Sequence, residues 1–252
     1  MTDHDQELID EWAQRFSEPS TGWSFASFEG KVRSENPPWS YTDLARRFLP
    51  AARSVLDLGT GGGEQLLGLA EVLPPDTHAT EGWKPNVAVA RAALAPHGID
   101  LVAHSAERGE HLPYPDGRFD VVMSRHAAFD AADVARVLRP GGVFLTQQVD
   151  GRNLVDLSTV FGADPVYPDT TLEVCRQQVV DAGLVVEEAQ EWSGSIRFAD
   201  VATLLSYLRM MPWQLPGDFT VKRYASALLR LQQRAAPLTF TEVRFLLLAR
   251  RR

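Results

Sequence analysis

The stretch Val55-Leu56-Asp57-Leu58-Gly59-Thr60-Gly61-Gly62-Gly63-Glu64 constrains the fold more than any other part of the chain. It opens with a short apolar run, Ser54 to Leu58, of the kind buried on both faces in a parallel sheet. It then breaks into glycines, which allow backbone conformations closed to residues with a Cβ and let a ligand press on the main chain. From Glu64 the pattern turns helical through Leu66, Leu67, Leu69, Ala70 and Leu73. Strand, glycine loop, helix is the first unit of a doubly wound α/β fold, whose ligand crevice lies at the carboxyl ends of the strands.

The residue that closes the loop discriminates between ligands. A dinucleotide loop, G-x-G-x-x-G, wants a third glycine where the helix starts, so that a pyrophosphate can sit on the helix N-terminus. Here Glu64 occupies that position. A carboxylate there repels a diphosphate and suits a cation, and Asp57 at the strand end adds a second negative charge. The run D-L-G-T-G-G-G-E resembles the first motif of the class I S-adenosylmethionine-dependent methyltransferases, whose cofactor carries a sulfonium and an ammonium. The resemblance implies an α/β, Rossmann-like fold with a mostly parallel seven-stranded sheet and an antiparallel last strand. It also implies S-adenosyl-L-methionine as the cofactor.

The likeness continues downstream. Thr77 to Thr80 reads as a second strand ending at Glu81, where an acidic side chain can accept both ribose hydroxyls. Glu81-Gly82-Trp83-Lys84-Pro85-Asn86 resembles the family's second motif, with Trp83 lying against adenine. A helix is expected over residues 86–95 and a strand over residues 100–103. Ser105-Ala106-Glu107 followed by Leu112-Pro113-Tyr114-Pro115-Asp116 resembles the stretch A-E-x-L-P-F-x-D, with Arg108-Gly109-Glu110-His111 inserted. Phe119 to Ser124 reads as a central parallel strand. Arg136-Val137-Leu138-Arg139-Pro140-Gly141-Gly142 reads as a helix stopped by a turn, ahead of a strand from Val143 to Thr146. The resemblance carries cofactor contacts onto Asp57, Gly59, Thr60, Gly61 and Glu64, onto Glu81, Gly82, Trp83 and Asn86, and onto Ala106, Glu107 and Ser124.

The flanks follow the family only in outline. Leu8, Ile9, Trp12 and Phe16 recur at helical spacing, and the irregular segment after them carries Trp23, Phe25 and Phe28. Residues 150–170 read as a polar loop and Thr171 to Ala182 as a helix with Gly183 as its cap. Leu184 to Trp192 and Phe240 to Ala249 read as the last two strands. Too many residues separate these strands for a hairpin, and two helical patterns there surround Met211 and Trp213. The expected organisation is a leading cap segment (1–50), a cofactor domain (51–197 and 237–252) and a helical cap insertion (198–236). Trp23, Phe25 and Phe28 with Tyr207, Met211 and Trp213 are the expected substrate pocket; packing within the helices is the competing reading for these aromatics.

Composition narrows the function classes. A net charge of −8 over 252 residues argues against a general nucleic-acid binder. One cysteine excludes an internal disulfide and suits a reducing compartment, so the expected localisation is cytoplasmic. The first ten residues lack the apolar core of a signal peptide, and no apolar run approaches the ~18 residues of a membrane span. His97, His104 and His111 lack the helical spacing of a zinc site, so no metal is expected. His126, on the loop after the fourth strand, is the candidate general base; a histidine that bonds its own loop or is exposed to solvent is the alternative. The reading is transfer of a methyl group to a small-molecule acceptor by in-line displacement. An RNA base methyltransferase, a non-catalytic cofactor binder and a NAD oxidoreductase are the alternatives.

Overall fold

The structure, a computed structural model, describes residues 2–18, 28–234 and 236–252. In chain order its elements are α1 (Asp3–Ser17), β1 (Val32–Ser34), α2 (Tyr41–Phe48), β2 (Ser54–Leu58), α3 (Glu64–Leu67), β3 (Asp76–Glu81), α4 (Lys84–Leu94) and β4 (Asp100–Ala103). There follow β5 (Phe119–Arg125), α5 (Ala131–Val137), β6 (Leu138–Val149), α6 (Val155–Phe161), α7 (Leu172–Asp181), β7 (Leu184–Phe198), α8 (Val201–Met210), α9 (Ala225–Gln232) and β8 (Leu238–Arg251). Local chemistry starts the helices. Thr2 and Asp5 form a reciprocal capping box for α1, and Ser40, Asp130, Thr171 and Asp200 cap α2, α5, α7 and α8 through their side-chain oxygens.

The strands form one sheet in the order β1-β7-β8-β6-β5-β2-β3-β4. The pairs β2–β3, β3–β4, β2–β5 and β5–β6 are parallel, while β6–β8 and β1–β7 are antiparallel. The sheet therefore matches the expected Rossmann-like α/β fold, with one strand more than the seven expected. The extra strand is β1, three residues that pair Val32 with Phe198 and Ser34 with Ile196. From β2 the chain winds outward to β3 and β4 on one side; β5 and β6 lie on the other. The switch point is thus between β2 and β5, and the crevice rule assigns the ligand to their carboxyl ends.

The chain divides into two compact units. One comprises residues 38–150, 169–192 and 244–252 and carries the parallel strands. Val55, Val121, Met123 and Leu145 bury one face of its sheet with Leu44 and Ala45 of α2 and Ala90 and Leu94 of α4. Leu56, Val122 and Phe144 bury the other with Val134 and Val137 of α5 and Val179 of α7. Each fully buried side chain of this size contributes about 1.5–3 kcal/mol. The other unit comprises residues 1–37, 151–168 and 193–243. Its core joins Trp12 of α1, Phe161 of α6, Leu204 and Leu208 of α8 and Leu228 of α9.

Four local expectations are corrected. The helix expected through Leu73 stops at Leu67, where Gly68 ends it and Arg46 takes the Gly68 carbonyl at 3.0 Å. The polar loop over 150–170 contains α6, which buries Leu157 and Phe161 but has no side-chain cap to announce it. The strand expected from Val143 begins at Leu138, and Arg139 to Gly142 bulge out of the pairing between Leu138 and Val143. The strand expected to end at Trp192 continues to Phe198.

Candidate functional site

The site is built at the carboxyl ends of β2, β3 and β5. Register puts Leu58 beside Ser124 and Asp57 beside Met123, so the glycine loop leaves the sheet next to the loop that follows β5. Gly59 has φ +64°, and a Cβ on it would collide with the Cβ of Ala127. Glycine is required there on both counts. Gly82 answers to a close approach instead: a Cβ would lie 2.7 Å from Ser105 Cβ and 2.9 Å from the His104 carbonyl oxygen.

Two carboxyls stand behind the loop. Glu81 is buried, and its two oxygens accept from the main-chain N–H groups of Gly61 and Trp83, each at 2.7 Å. Burial raises its pKa above the ordinary carboxylate range despite those bonds. Asp57, 8% exposed, is pushed up to about 7, mainly by burial and further by the Glu81 charge; the Thr60 hydroxyl and Arg125 pull the other way. Thr60 lies close enough to affect that carboxyl, yet its hydroxyl makes no hydrogen bond of normal geometry. The Tyr41 hydroxyl is likewise buried and without a hydrogen-bond partner. Tyr41, Asp57, Gly59, Thr60, Met123 and Arg125 line one small cavity of about 50 Å³. Among the described residues, the half-buried Arg125 forms no ion pair with any carboxylate, and burial lowers its pKa.

The remaining expected contacts sit around this core. Glu64 opens α3 and folds its carboxylate back against Gly62. Trp83 caps α4 with 49% of its surface exposed, and Asn86 is buried in the first turn of that helix. Ala106 and Glu107 lie in a short turn after β4. The inserted residues have a definite job there. Arg108 donates to the Gly82 carbonyl at 3.1 Å and pairs with Glu110, which also accepts from the Ser105 N–H at 2.9 Å. The insertion therefore ties the loop after β4 to the loop after β3. Ser124 is fully buried and gives its hydroxyl to the Ala127 carbonyl at 2.9 Å.

His126 has φ +59°, unusual for a residue with a side chain. Its surroundings over-determine that conformation. Its N–H donates to the Gln147 carbonyl at 2.8 Å, and the next carbonyl, of Ala127, accepts from Ser124 Oγ and from Gln148 Nε2, both at 2.9 Å. The ring reaches Gln147, Nε2 to Nε2, at 2.9 Å, and Gln147 Oε1 accepts from the Trp39 indole N–H at 2.8 Å. The residue as a whole is exposed. Desolvation holds its pKa well below the usual 6.5, and the positive charges of Arg125 and Arg244 act in the same sense.

The expected pocket aromatics belong to the other unit or fall outside the described residues. Trp23 and Phe25 are not among the described residues. Phe28 and Tyr207 are buried in the helical core, with ring centroids 5.9 Å apart. Met211 packs against that core, and Trp213 is 38% exposed. Sequence reasoning passed over Gln147 and gave no individual role to Tyr41, Arg125 or Trp39, although the two aromatics lie in the leading segment and Arg125 lies in the loop expected at the crevice edge. None belongs to a motif, and only the position of Arg125 directly after the fourth strand could have drawn attention to it. Among the described residues no group of His, Cys, Asp or Glu could hold a metal, and no helix is long and apolar enough to cross a membrane.

Residues 56–146 match the family model described as a methyltransferase domain. The uncharacterized methyltransferase YcgJ of Bacillus subtilis is 29% identical over 170 residues, 67% of this chain and 63% of that protein. The demethylmenaquinone methyltransferase of Thermus thermophilus is 33% identical over 108 residues, 40% of this chain and 48% of that enzyme. In these sequence matches the chain spans 46–63% of the lengths of its curated relatives. The crystal structure of YcgJ superposes with a TM-score of 0.60 at 18% identity, covering 84% of this chain and 98% of that one. A functionally unknown protein from Deinococcus radiodurans R1 superposes over 100% of both chains with a TM-score of 0.59 at 18% identity. Those structural likenesses show the fold, and the sequence matches show what the stretch around residues 56–146 is similar to. The glycine loop and the two buried carboxyls, Asp57 and Glu81, all lie within residues 56–146, and over that stretch the chain carries a methyltransferase domain.

Proposed function

We propose that this chain binds S-adenosyl-L-methionine and transfers its methyl group to a small-molecule acceptor. The observation that carries the reading is the buried Asp57 carboxyl, raised to about 7 beside a glycine cradle. A carboxyl in that state gains most from a cation arriving next to it. The donor set fits the amino-acid end of the cofactor. The unpartnered Tyr41 hydroxyl and the Arg125 guanidinium suit its carboxylate, while Asp57 and the unpartnered Thr60 hydroxyl suit its ammonium. Glu81 spends one lone pair of each oxygen on the loop and keeps others for ribose hydroxyls. Trp83, half exposed beside Glu81, offers a face for adenine.

The bound group supplies a methyl carbon activated by a sulfonium, which leaves as a neutral thioether when the acceptor attacks from the opposite side. The chain's own work is then to align, to exclude water and to hold the acceptor. A net charge of −8 favours a small molecule over RNA. Titration calorimetry tests the reading: S-adenosylmethionine and its demethylated product are expected to bind at micromolar concentration and NAD to give no heat. Binding of NAD with none of S-adenosylmethionine overturns it.

A further inference from the structure

The chain Trp39–Gln147–His126 determines which nitrogen of His126 carries the proton. An indole N–H can only donate, so the oxygen of the Gln147 amide is the atom that faces Trp39, 2.8 Å away. The NH₂ group of Gln147 therefore faces His126 Nε2 at 2.9 Å, and Nε2 must accept. A neutral imidazole with an accepting Nε2 carries its proton on Nδ1. Protonating Nε2 as well would set a donor against a donor. Arg125, the neighbouring residue at the end of β5, and Arg244 on β8 add positive charge that also disfavours the imidazolium. Both nitrogens are thereby assigned: one lone pair is spent inside the protein, and one N–H is left. Among the described residues no hydrogen-bond partner meets Nδ1.

We infer that His126 is a neutral hydrogen-bond donor to the methyl acceptor, offering Nδ1–H to an oxygen beside the nucleophile, with Gln147 and Trp39 as positioning residues that fix the tautomer. The inference rests on the methyltransferase reading for its substrate half alone. It replaces the expected base role by a narrower substrate class. An imidazole whose lone pair is occupied takes no proton, so the nucleophile attacks without a protein base. That describes an amine, a stabilised enolate carbon or an already ionised oxygen, in a molecule that also presents a carbonyl, carboxylate or phenolate oxygen. The backbone supports the assignment, because a positive φ held by three hydrogen bonds around residues 126 and 127 fixes where the ring is presented.

The test uses the full chain with ¹⁵N-labelled histidine. Long-range ¹H–¹⁵N correlation reads the tautomer of each of the six histidines, and the signal lost in His126→Asn identifies His126. The expected result is an Nδ1–H pattern that does not titrate between pH 5.5 and pH 8. An Nε2–H pattern, or titration near the usual value of about 6.5, overturns the assignment. Gln147→Glu supplies a second check. A carboxylate can accept from Trp39 and from Nε2–H together, so the variant is expected to convert His126 to the Nε2–H or imidazolium form. An unchanged tautomer there removes Gln147 from its positioning role. For the substrate half, benzoate added to protein saturated with S-adenosylhomocysteine is expected to shift the Nδ1–H resonance, and benzylamine to leave it in place. Failure of benzoate to move it overturns the substrate contact. Failure of S-adenosylhomocysteine to bind, checked first by calorimetry, instead counts against the proposed function and leaves the tautomer assignment standing.

Discussion

Asp57→Asn separates the charge at the cofactor loop from its shape. The parent carboxyl titrates near 3.8 when unfolded and at about 7 in the folded protein, chiefly because it is buried. A folded pKa above the unfolded one means that this group's stabilisation is complete below about pH 4. It declines as pH rises and is gone above about pH 7. A gap of about three pH units, at about 1.4 kcal/mol each, sets a ceiling of about 4 kcal/mol. Between pH 5 and pH 8 the relevant part is about 2–3 kcal/mol. Asparagine does not titrate, so the ligand-free Asp57→Asn protein should gain that much on its parent over the interval. Urea denaturation of both proteins at pH 5 and pH 8 reads the difference, in which titrating groups that do not interact with Asp57 cancel. The same substitution should weaken S-adenosylmethionine binding at pH 8 by at least tenfold, since a neutral amide does not balance the cofactor's positive charge. Two proteins whose stabilities run parallel from pH 5 to pH 8, with equal affinity for S-adenosylmethionine, would refute the reasoning.

Two further substitutions probe the cradle. Glu81→Gln turns one acceptor into an NH₂ that must face the N–H of Gly61 or Trp83, both now bonded at 2.7 Å. Denaturation should show a loss of about 1–3 kcal/mol, and calorimetry a weaker cofactor; an unchanged stability would mean that those bonds carry nothing. Gly59→Ala and Gly61→Ala form a matched pair, since both sites have positive φ but only the first meets a neighbour, Ala127. The Gly61 variant should lose about 1–2 kcal/mol of backbone preference alone. The Gly59 variant should lose about 1–3 kcal/mol more by overpacking, and equal losses for the two would show that Ala127 gives way freely.

What the sequence displays is local. Asp57, the glycine turn and Glu81 are legible because a strand end, a loop and a helix start lie within a few residues and their chemistry restricts the residue types. The helices α1, α2 and α7 are legible from periodicity and from their Ser or Thr caps. What remains hidden depends on distant pairing. Trp39 and Gln147 are 108 positions apart, and nothing near either one marks it as a partner. Arg125 looks like any arginine after a strand until Asp57 and Tyr41 are seen to line the same cavity. Pro140-Gly141-Gly142 reads as a turn because its composition is that of a turn, yet β6 runs through it by bulging. Tyr207 and Phe28 show why aromatics in a flank leave two readings open in the sequence: residues of that size are as useful to a core as to a pocket, and these two are buried with their rings in contact.

The loop after β5 joins the two halves of the chemistry. Arg125 faces the cavity that holds Asp57, while His126 is turned by its positive φ onto Gln147. Between them, Ser124 and Gln148 fix the Ala127 carbonyl, and the Ala127 side chain stands where a Cβ on Gly59 would be. The glycine loop and the His126 loop therefore approach each other closely at Gly59 and Ala127. In-line displacement depends on holding donor carbon and nucleophile to within a fraction of an ångström. Alignment of that kind is what a buried serine, a buried glutamine and the missing methyl group of Gly59 favour here. This explains why the polar residues at the end of β5 and β6, Ser124, Thr146, Gln147 and Gln148, are buried although none carries a charge. Their hydrogen bonds are spent on holding a loop in a conformation that its own backbone preferences would abandon.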